Sequence, residues 1–338
     1  MTPEFVIIVL IAGLLLAFTI YATRVEPYRP VLRKMTLSMP AGWPKLTILH
    51  LSDLHVREEA PGLYRAQERF LRSINARPDL VCVTGDVCET LPDAPLAAAL
   101  IKQIQPRHGI MVIHGNHEHD APVPVWRRER AWSAMRQIEK LAWRWFGPRS
   151  RSSGTLESRE IAASLNRAGL RVLVNEGLRL NIDGRTLWVA GVDSAWAGLS
   201  RTAHAVNGRR HNEPCLALIH EPEGVFPFTA RGAALVLAGH THGGQVRIPF
   251  LGAPYSHRMD RRIQISAGLQ QLNQTFLHIS RGLGHSISLR FNCPPEATWI
   301  ECVPAQHGPN AQHTTAYLPS EHLISAATSS GSGREDRI

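Results

Sequence analysis

Residues 46–55 read LTILHLSDLH, an apolar run from Leu46 to Leu51 that stops abruptly at Ser52-Asp53-Leu54-His55. Two later stretches repeat the plan: DLVCV (79–83) runs into Thr84-Gly85-Asp86, and GIMVIH (109–114) runs into Gly115-Asn116-His117-Glu118. Short apolar runs that end in polar loops predict buried strands. Between them, Tyr64–Ala76 and Ala94–Ile104 carry helical spacing. The resulting β-α-β-α-β order predicts parallel pairing with right-handed crossovers. It also brings the three polar loops to one sheet edge, where open α/β sheets bind their ligands.

Working outward, a second series of strands is expected at RVLVN (171–175), LWVAGV (187–192), CLALIH (215–220) and ALVLAGHTH (234–242). FLHIS, ISLRF and TWIECV follow with few helical signals, which suits a second sheet packed on the first. From 305 to 338 the chain is polar and non-periodic and reads as a disordered tail. Upstream, residues 25–45 contain Pro27, Pro30, Pro40 and Pro44 and read as a linker to the main domain, 46–304. Before that, Phe5 to Ala22 carries no charge, and 18 residues at 1.5 Å each span about 27 Å, enough to cross a bilayer once. Residues 1–24 are therefore expected to be a transmembrane anchor. Arg24, Arg29, Arg33 and Lys34 all follow it, which expects the C-terminal bulk on the cytoplasmic side of an inner membrane. A signal peptide cleaved near Ala22 is the alternative.

The chain has 338 residues, 37 basic and 28 acidic, for a formal charge of +9. A hydrophobic content of 44% excludes global disorder, and one long apolar run excludes a polytopic membrane protein. Five cysteines without CxxC spacing argue for reduced, buried thiols and against a zinc finger. The count of 17 histidines is what stands out, because histidine is a metal ligand before it is a core residue. A site that hydrolyses phosphate esters near neutral pH can use two divalent ions sharing a bridging ligand and a water. Asp86, at a strand end, is placed to bridge. Asp53 and His55 alternate along an extended segment, so both can face one ion only if the chain turns there. Asn116, His220, His240 and His242 offer an amide oxygen and imidazoles from further strand ends. Oxygen and nitrogen donors without thiolate suit Mn²⁺, Fe²⁺ or Zn²⁺.

The blocks Asp53-x-His55, Gly85-Asp86, Gly115-Asn116-His117-Glu118, His220 and Gly239-His240-x-His242, in that order, resemble the calcineurin-like metallophosphoesterase superfamily. The resemblance covers roughly Leu46 to Val303. It is closest in pattern to a membrane-associated bacterial branch, through Val25-Glu26-Pro27, Gly239–Gln245 and Ser280-Arg281-Gly282-Leu283-Gly284. It implies a four-layer αββα sandwich behind the N-terminal transmembrane helix. It further implies one ion held by Asp53, His55 and His242, a second by Asn116, His220 and His240, and Asp86 between them. His117 would contact the scissile phosphate and serve the leaving oxygen. In purple acid phosphatases a tyrosine lies three residues after the bridging aspartate; Glu89 stands there in this chain, which argues against an iron–tyrosinate centre. Asp193 is either a support for the site or a turn residue. Cys88 is no nucleophile, His50, His114 and His119 read as packing or surface residues, and Arg247, Arg258, Arg261 and Arg262 as a solvated face or a phosphate contact.

From Trp126 to Arg151 eight basic residues meet only Glu129 and Glu139, and four of the eight tryptophans lie there. Within this helical insert, about 123–158, Ala131–Phe146 divides into an apolar, tryptophan-bearing arc and a cationic face, the pattern of an interfacial membrane helix or of a lid. The expected activity is hydrolysis of a phosphodiester or pyrophosphate bond by attack of a metal-bridging hydroxide. A membrane lipid-linked phosphate, such as a phospholipid or a UDP-diacylglucosamine-like molecule, is the expected substrate. Soluble nucleotides or phosphoproteins, and an inactive membrane-tethered scaffold, are the alternatives; nucleic acid is disfavoured because the positive charge sits beside tryptophans and an anchor.

Overall fold

A computed structural model describes residues 2–119, 154–255, 260–305 and 314–318. The strands are β1 Val31–Met39, β2 Leu46–Leu51, β3 Leu80–Thr84, β4 Ile110–Ile113, β5 Arg171–Val172, β6 Glu176–Ile182, β7 Arg185–Gly191, β8 Cys215–Leu218, β9 Leu235–Ala238, β10 Gly268–Leu272, β11 Thr275–Ile279, β12 Glu296–Pro304 and β13 Thr314–Leu318. The helices are α1 Pro3–Ile20, α2 Pro61–Arg72, α3 Ala94–Ile101, α4 Gly154–Arg167, α5 Thr202–Ala205 and α6 Val225–Thr229.

They build two mixed sheets, one of seven strands ordered β13-β1-β12-β2-β3-β4-β5 and one of six ordered β10-β11-β9-β8-β7-β6. As the β-α-β-α-β pattern requires, β2, β3 and β4 pair in parallel, with Ile48 opposite Leu80 and Val81 opposite Ile110. Both sheets contribute to the layer between them: Leu37, Ile48, Ile113 and Ile300 from one meet Leu187, Leu216, Leu235 and Phe276 from the other. Each such buried side chain contributes roughly 1.5–3 kcal/mol. Helices α2, α3 and α4 cover the outer face of the first sheet through Phe70, Leu71, Ala97, Ile101 and Leu165, and Ala205 and Phe228 cover that of the second. The result is an αββα sandwich. Because β2, β3, β4, β8 and β9 all end on the same side, their C-terminal loops converge there.

Several boundaries differ from the sequence reading. The stretch 25–45, read as a linker, contains β1, which pairs in parallel with β12 and antiparallel with β13. Its prolines bracket a strand instead of breaking one, and Met35, Leu37 and Met39 alternate inward. TWIECV does not extend the second sheet; it lies in β12, antiparallel to β2. ISLRF forms no strand, because its amides go to separate turn and loop carbonyls, Leu289 to Ile287 O, Arg290 to Ala22 O and Phe291 to Gln245 O. Within the stretch read as a disordered tail, Thr314–Leu318 forms β13. The proposed helix Ala131–Phe146 lies outside the described residues.

No side chain of α1 is buried, and it is the one helix among the described residues long and apolar enough to cross a membrane. Its C-terminal end is tied to the domain. The Arg290 amide donates to Ala22 O (2.7 Å), Ser288 Oγ donates to Thr23 O (2.7 Å), and the buried Glu26 carboxylate accepts from the amides of Asn292 (3.0 Å) and Cys293 (2.5 Å).

Candidate metal centre

The turn that Asp53 and His55 need is present. Directly after β2 both residues adopt left-handed backbone, at φ 50° and 47°. Asp86 (51°), His240 (71°) and His242 (47°) do the same at the ends of β3 and β9. Five of the seven candidate ligands thus occupy a conformation costing on the order of 1–3 kcal/mol each, the pattern expected where strain is retained for function.

Two groups of donor atoms result. In the first, His55 Nε2 lies 3.2 Å from His242 Nε2, which lies 3.4 Å from Asp53 Oδ1. In the second, Asn116 Oδ1 lies 3.2 Å from His220 Nε2 and 3.0 Å from His240 Nδ1. Asp86 Oδ2 stands between the groups, 3.7 Å from His55 Nε2 and 3.2 Å from His220 Nε2. His117 Nε2 is 4.0 Å from the same oxygen, at the rim. All eight residues singled out from the sequence are therefore brought together.

The donor set fits divalent cations. Ligands about 2.0–2.2 Å from an ion lie roughly 3.0–3.6 Å from one another, the spacing found here. The Thr84 carbonyl can only accept, so His220 Nδ1, 2.7 Å away, carries a proton. Its Nε2 faces the oxygens of Asp86 and Asn116; burial opposes a charge on this ring, but Asp86 outweighs it and raises His220 well above its ordinary value, and a divalent cation would take the place of that second proton. Room is kept by glycine: a Cβ on Gly115 would strike Asp86 Oδ1 and His220 Nε2, and one on Gly239 would strike Ser52 Oγ and Asp53 Oδ2.

Charge in the site is strongly coupled. Burial raises Asp53 above its ordinary range, and the neighbouring Asp86 adds to this against the pull of His220. Burial also opposes the Asp86 charge, but His220 and His117 outweigh it and hold this carboxyl well below the usual range. For His117, burial is overcome by Glu89 and Asp86, which push it up to about 10.

The surrounding supports were largely missed in the sequence. Glu89, noted only for not being tyrosine, reaches His55 Nδ1 (2.7 Å) with one oxygen and His117 Nδ1 (2.9 Å) with the other. It thereby turns the Nε2 atoms of both rings toward the centre. Glu118 accepts from the amides of Gly115 (2.7 Å) and Asp86 (3.1 Å), locking the β3 and β4 loops together. Its place in the Gly-Asn-His-Glu block was the available signal. Glu221 accepts from Ser194 Oγ and from the amides of Ala195 and Trp196, and the Trp196 ring lies 3.9 Å from that of His240. Arg290 Nη2 donates to Gly284 O (2.7 Å) and lies 3.4 Å from His242 Nδ1. Nothing in the local sequence signals this arginine.

The other residues singled out fall as follows. Asp193 meets His119 Nε2 (2.6 Å) and lies 3.6 Å from His114 Nδ1, and all three are buried. His50 is buried against His278 and Thr84. Cys88 is fully buried, and burial with Glu118 nearby raises its thiol well above the ordinary value, so it cannot act as a nucleophile. Arg247 donates to Gly243 O and Ser266 Oγ, and Arg262 pairs with Asp260. Arg258 lies outside the described residues.

The sequence profile of calcineurin-like phosphoesterases matches residues 46–244. Among characterised and uncharacterised relatives, the phosphodiesterase YaeI of Escherichia coli is 34% identical over 158 residues, 47% of this chain and 57% of that protein. The uncharacterized metallophosphoesterase YkuE of Bacillus subtilis is 24% identical over 291 residues, 82% of this chain and 87% of its own. The UDP-2,3-diacylglucosamine pyrophosphatase LpxG of Chlamydia trachomatis is 21% identical over 311 residues, covering 84% and 92%.

Proposed function

This chain belongs to the calcineurin-like phosphoesterase family and is a phosphate-ester hydrolase, and we propose that it cleaves a phosphodiester or pyrophosphate bond in a lipid-linked phosphate at a membrane surface. In this reading Asp53, His55 and His242 would hold one divalent ion, Asn116, His220 and His240 would hold another, and Asp86 would serve both. Bound there, Mn²⁺, Fe²⁺ or Zn²⁺ supplies water activation near neutral pH and neutralises charge on the phosphoryl oxygens. His117 Nε2 carries the proton that the leaving oxygen needs, and Glu89 keeps that proton in place by holding Nδ1. His220 is oriented by Thr84 and His55 by Glu89, so neither ring has to rotate before substrate binds.

The observation that carries the reaction class is the meeting of two nitrogen- and oxygen-rich groups across one carboxylate oxygen, Asp86 Oδ2. The observation that favours a lipid-linked substrate is the joint between α1 and the site: Phe18 packs on Phe291 at 4.9 Å between ring centroids, and Arg290, one residue away, reaches His242. The activity of the relative named as a UDP-2,3-diacylglucosamine pyrophosphatase supports the same choice. With α1 as a membrane anchor, Arg24 and Arg29 at its end argue for a catalytic domain on the cytoplasmic face. The test is turnover by the full chain in nanodiscs with added Mn²⁺, comparing an acylated nucleotide-sugar pyrophosphate and a phospholipid with their deacylated forms. At least tenfold higher kcat/KM for an acylated substrate is expected. Equal or better use of every deacylated form overturns the lipid assignment while leaving the phosphoesterase intact.

A further inference from the structure

The chain that leaves His242 passes through Gly243, Gly244 and Gln245 and then makes a short loop closed by Ile248 and Gly252, with an Ile248 N–H donated to Gly252 O at 2.8 Å. At the tip of this loop stand Phe250 and Leu251, 108% and 80% exposed. They are the most exposed large apolar side chains among the described residues; even on α1 the highest value is 71%, at Leu14. Phe250 also holds left-handed backbone, at φ 67°, a conformation disfavoured for an aromatic residue. A fully exposed phenylalanine in a strained conformation gains nothing in water, so a partner for it is indicated.

The surroundings say which partner. The loop is fastened to the segment that receives the end of α1: Val246 bridges Phe291, the Arg247 amide donates to Phe291 O (2.9 Å), and the Phe291 amide donates to Gln245 O (2.9 Å). Phe291 itself packs on Phe18 and Tyr21 of the helix, at 4.9 and 6.5 Å. The apolar tip thus belongs to the same joint as the one helix able to enter a bilayer, and exposed Arg24 and Arg29 flank that helix end. Apolar aromatic and aliphatic tips beside cations suit the headgroup–acyl boundary of an anionic membrane.

We propose that the loop 248–252 is a second membrane contact, in which Phe250 and Leu251 enter the interface of the bilayer beside α1 and hold the metal-centre edge of the sandwich against the lipid surface. The proposal rests on the reading of α1 as a membrane anchor and is independent of which bond is cleaved. Helical residues Tyr21–Val25 continue α1 into the joint with the domain, which gives one point of contact with the bilayer; a second point of contact fixes which face meets the lipid. The loop follows His242 directly, so the face so fixed is the one with the candidate site.

All five cysteines are buried, so an introduced cysteine can be labelled selectively. In the full chain reconstituted in nanodiscs of phosphatidylcholine and phosphatidylglycerol, a spin label on Leu251→Cys is compared with one on Asn273→Cys. Asn273 is exposed in the turn between β10 and β11, at the opposite end of the second sheet. The label at 251 is expected to collide at least threefold more with oxygen relative to a water-soluble nickel chelate than the label at 273. Equal access of the chelate to both positions overturns the proposal. So does dipolar broadening between labels at 251 with exclusion of both quenchers, which would mean that a second copy of the chain covers the loop. Retained turnover of a soluble phosphodiester by the two labelled proteins shows that they are folded. Because this experiment reads immersion alone, its failure is distinguishable from failure of the lipid-substrate assignment.

Discussion

The two halves of the candidate centre are built differently. Asn116, His220 and His240 are held by the sheets: His220 Nδ1 is fixed by a backbone carbonyl of β3, and Asn116 sits in a loop locked by Glu118. In the other half, His55 and His242 lean on side chains from loops, Glu89 behind His55 and Arg290 behind His242, while Asp53 accepts the amide of His240. Those supports lead elsewhere, Glu89 to His117 and Arg290 to the end of α1. In the proposed reading the sheet-held half would be a rigid cation site, whereas the loop-held half would couple that site to proton handling and to the joint with α1.

Removing what the halves share has the largest effect. Asp86→Ala is expected to lose both ions and at least ~10³-fold in kcat/KM, read by metal analysis and steady-state rates on the full chain. Next, His117→Ala touches neither half's donors. It is expected to keep its metal content and lose ~10²–10⁴-fold in kcat on a substrate with a poor leaving group, with little loss on an activated one. A uniform loss on both substrates would instead assign His117 to binding.

Glu89→Gln separates the halves. The carboxylate raises the proton affinity of His117, so its removal lowers that affinity, and the acid is lost at a lower pH. The alkaline limb of the kcat profile is expected to move down by about 1 pH unit or more, with kcat reduced ~10- to 100-fold and one ion bound more weakly than the other. An unmoved limb would disconnect Glu89 from the proton. The smallest effect is expected at Cys88→Ala, buried in the core beside the site: kcat/KM within about twofold and stability lower by about 1 kcal/mol in chemical denaturation.

The strand ends and the polar letters beyond them were legible because buried parallel strands read as unbroken apolar runs and the loops after them gather on one edge. The strand ends that carry the seven candidate ligands could be named on that basis, whereas the grouping of those ligands and the role of His117 came from the family resemblance, and β1, β12 and β13 were not placed in the first sheet. What periodicity cannot carry is the backbone sign: nothing in Asp53-Leu54-His55 announces two left-handed residues, although the need for a turn was apparent. Glu89 and Arg290 escaped because their partners lie 34 and 48 residues away and no motif spacing marks them. The strand β1 was obscured by prolines that proved to be its borders, and its partner β12 is supplied from the far end of the chain.

The central claim is that two ions share Asp86. Its most direct test is titration of the metal-free full chain with Mn²⁺, following bound metal and hydrolysis of a soluble phosphodiester together. Two bound equivalents per chain, with turnover appearing only as the second is filled, is the expected result. Full turnover at one equivalent or none would contradict it.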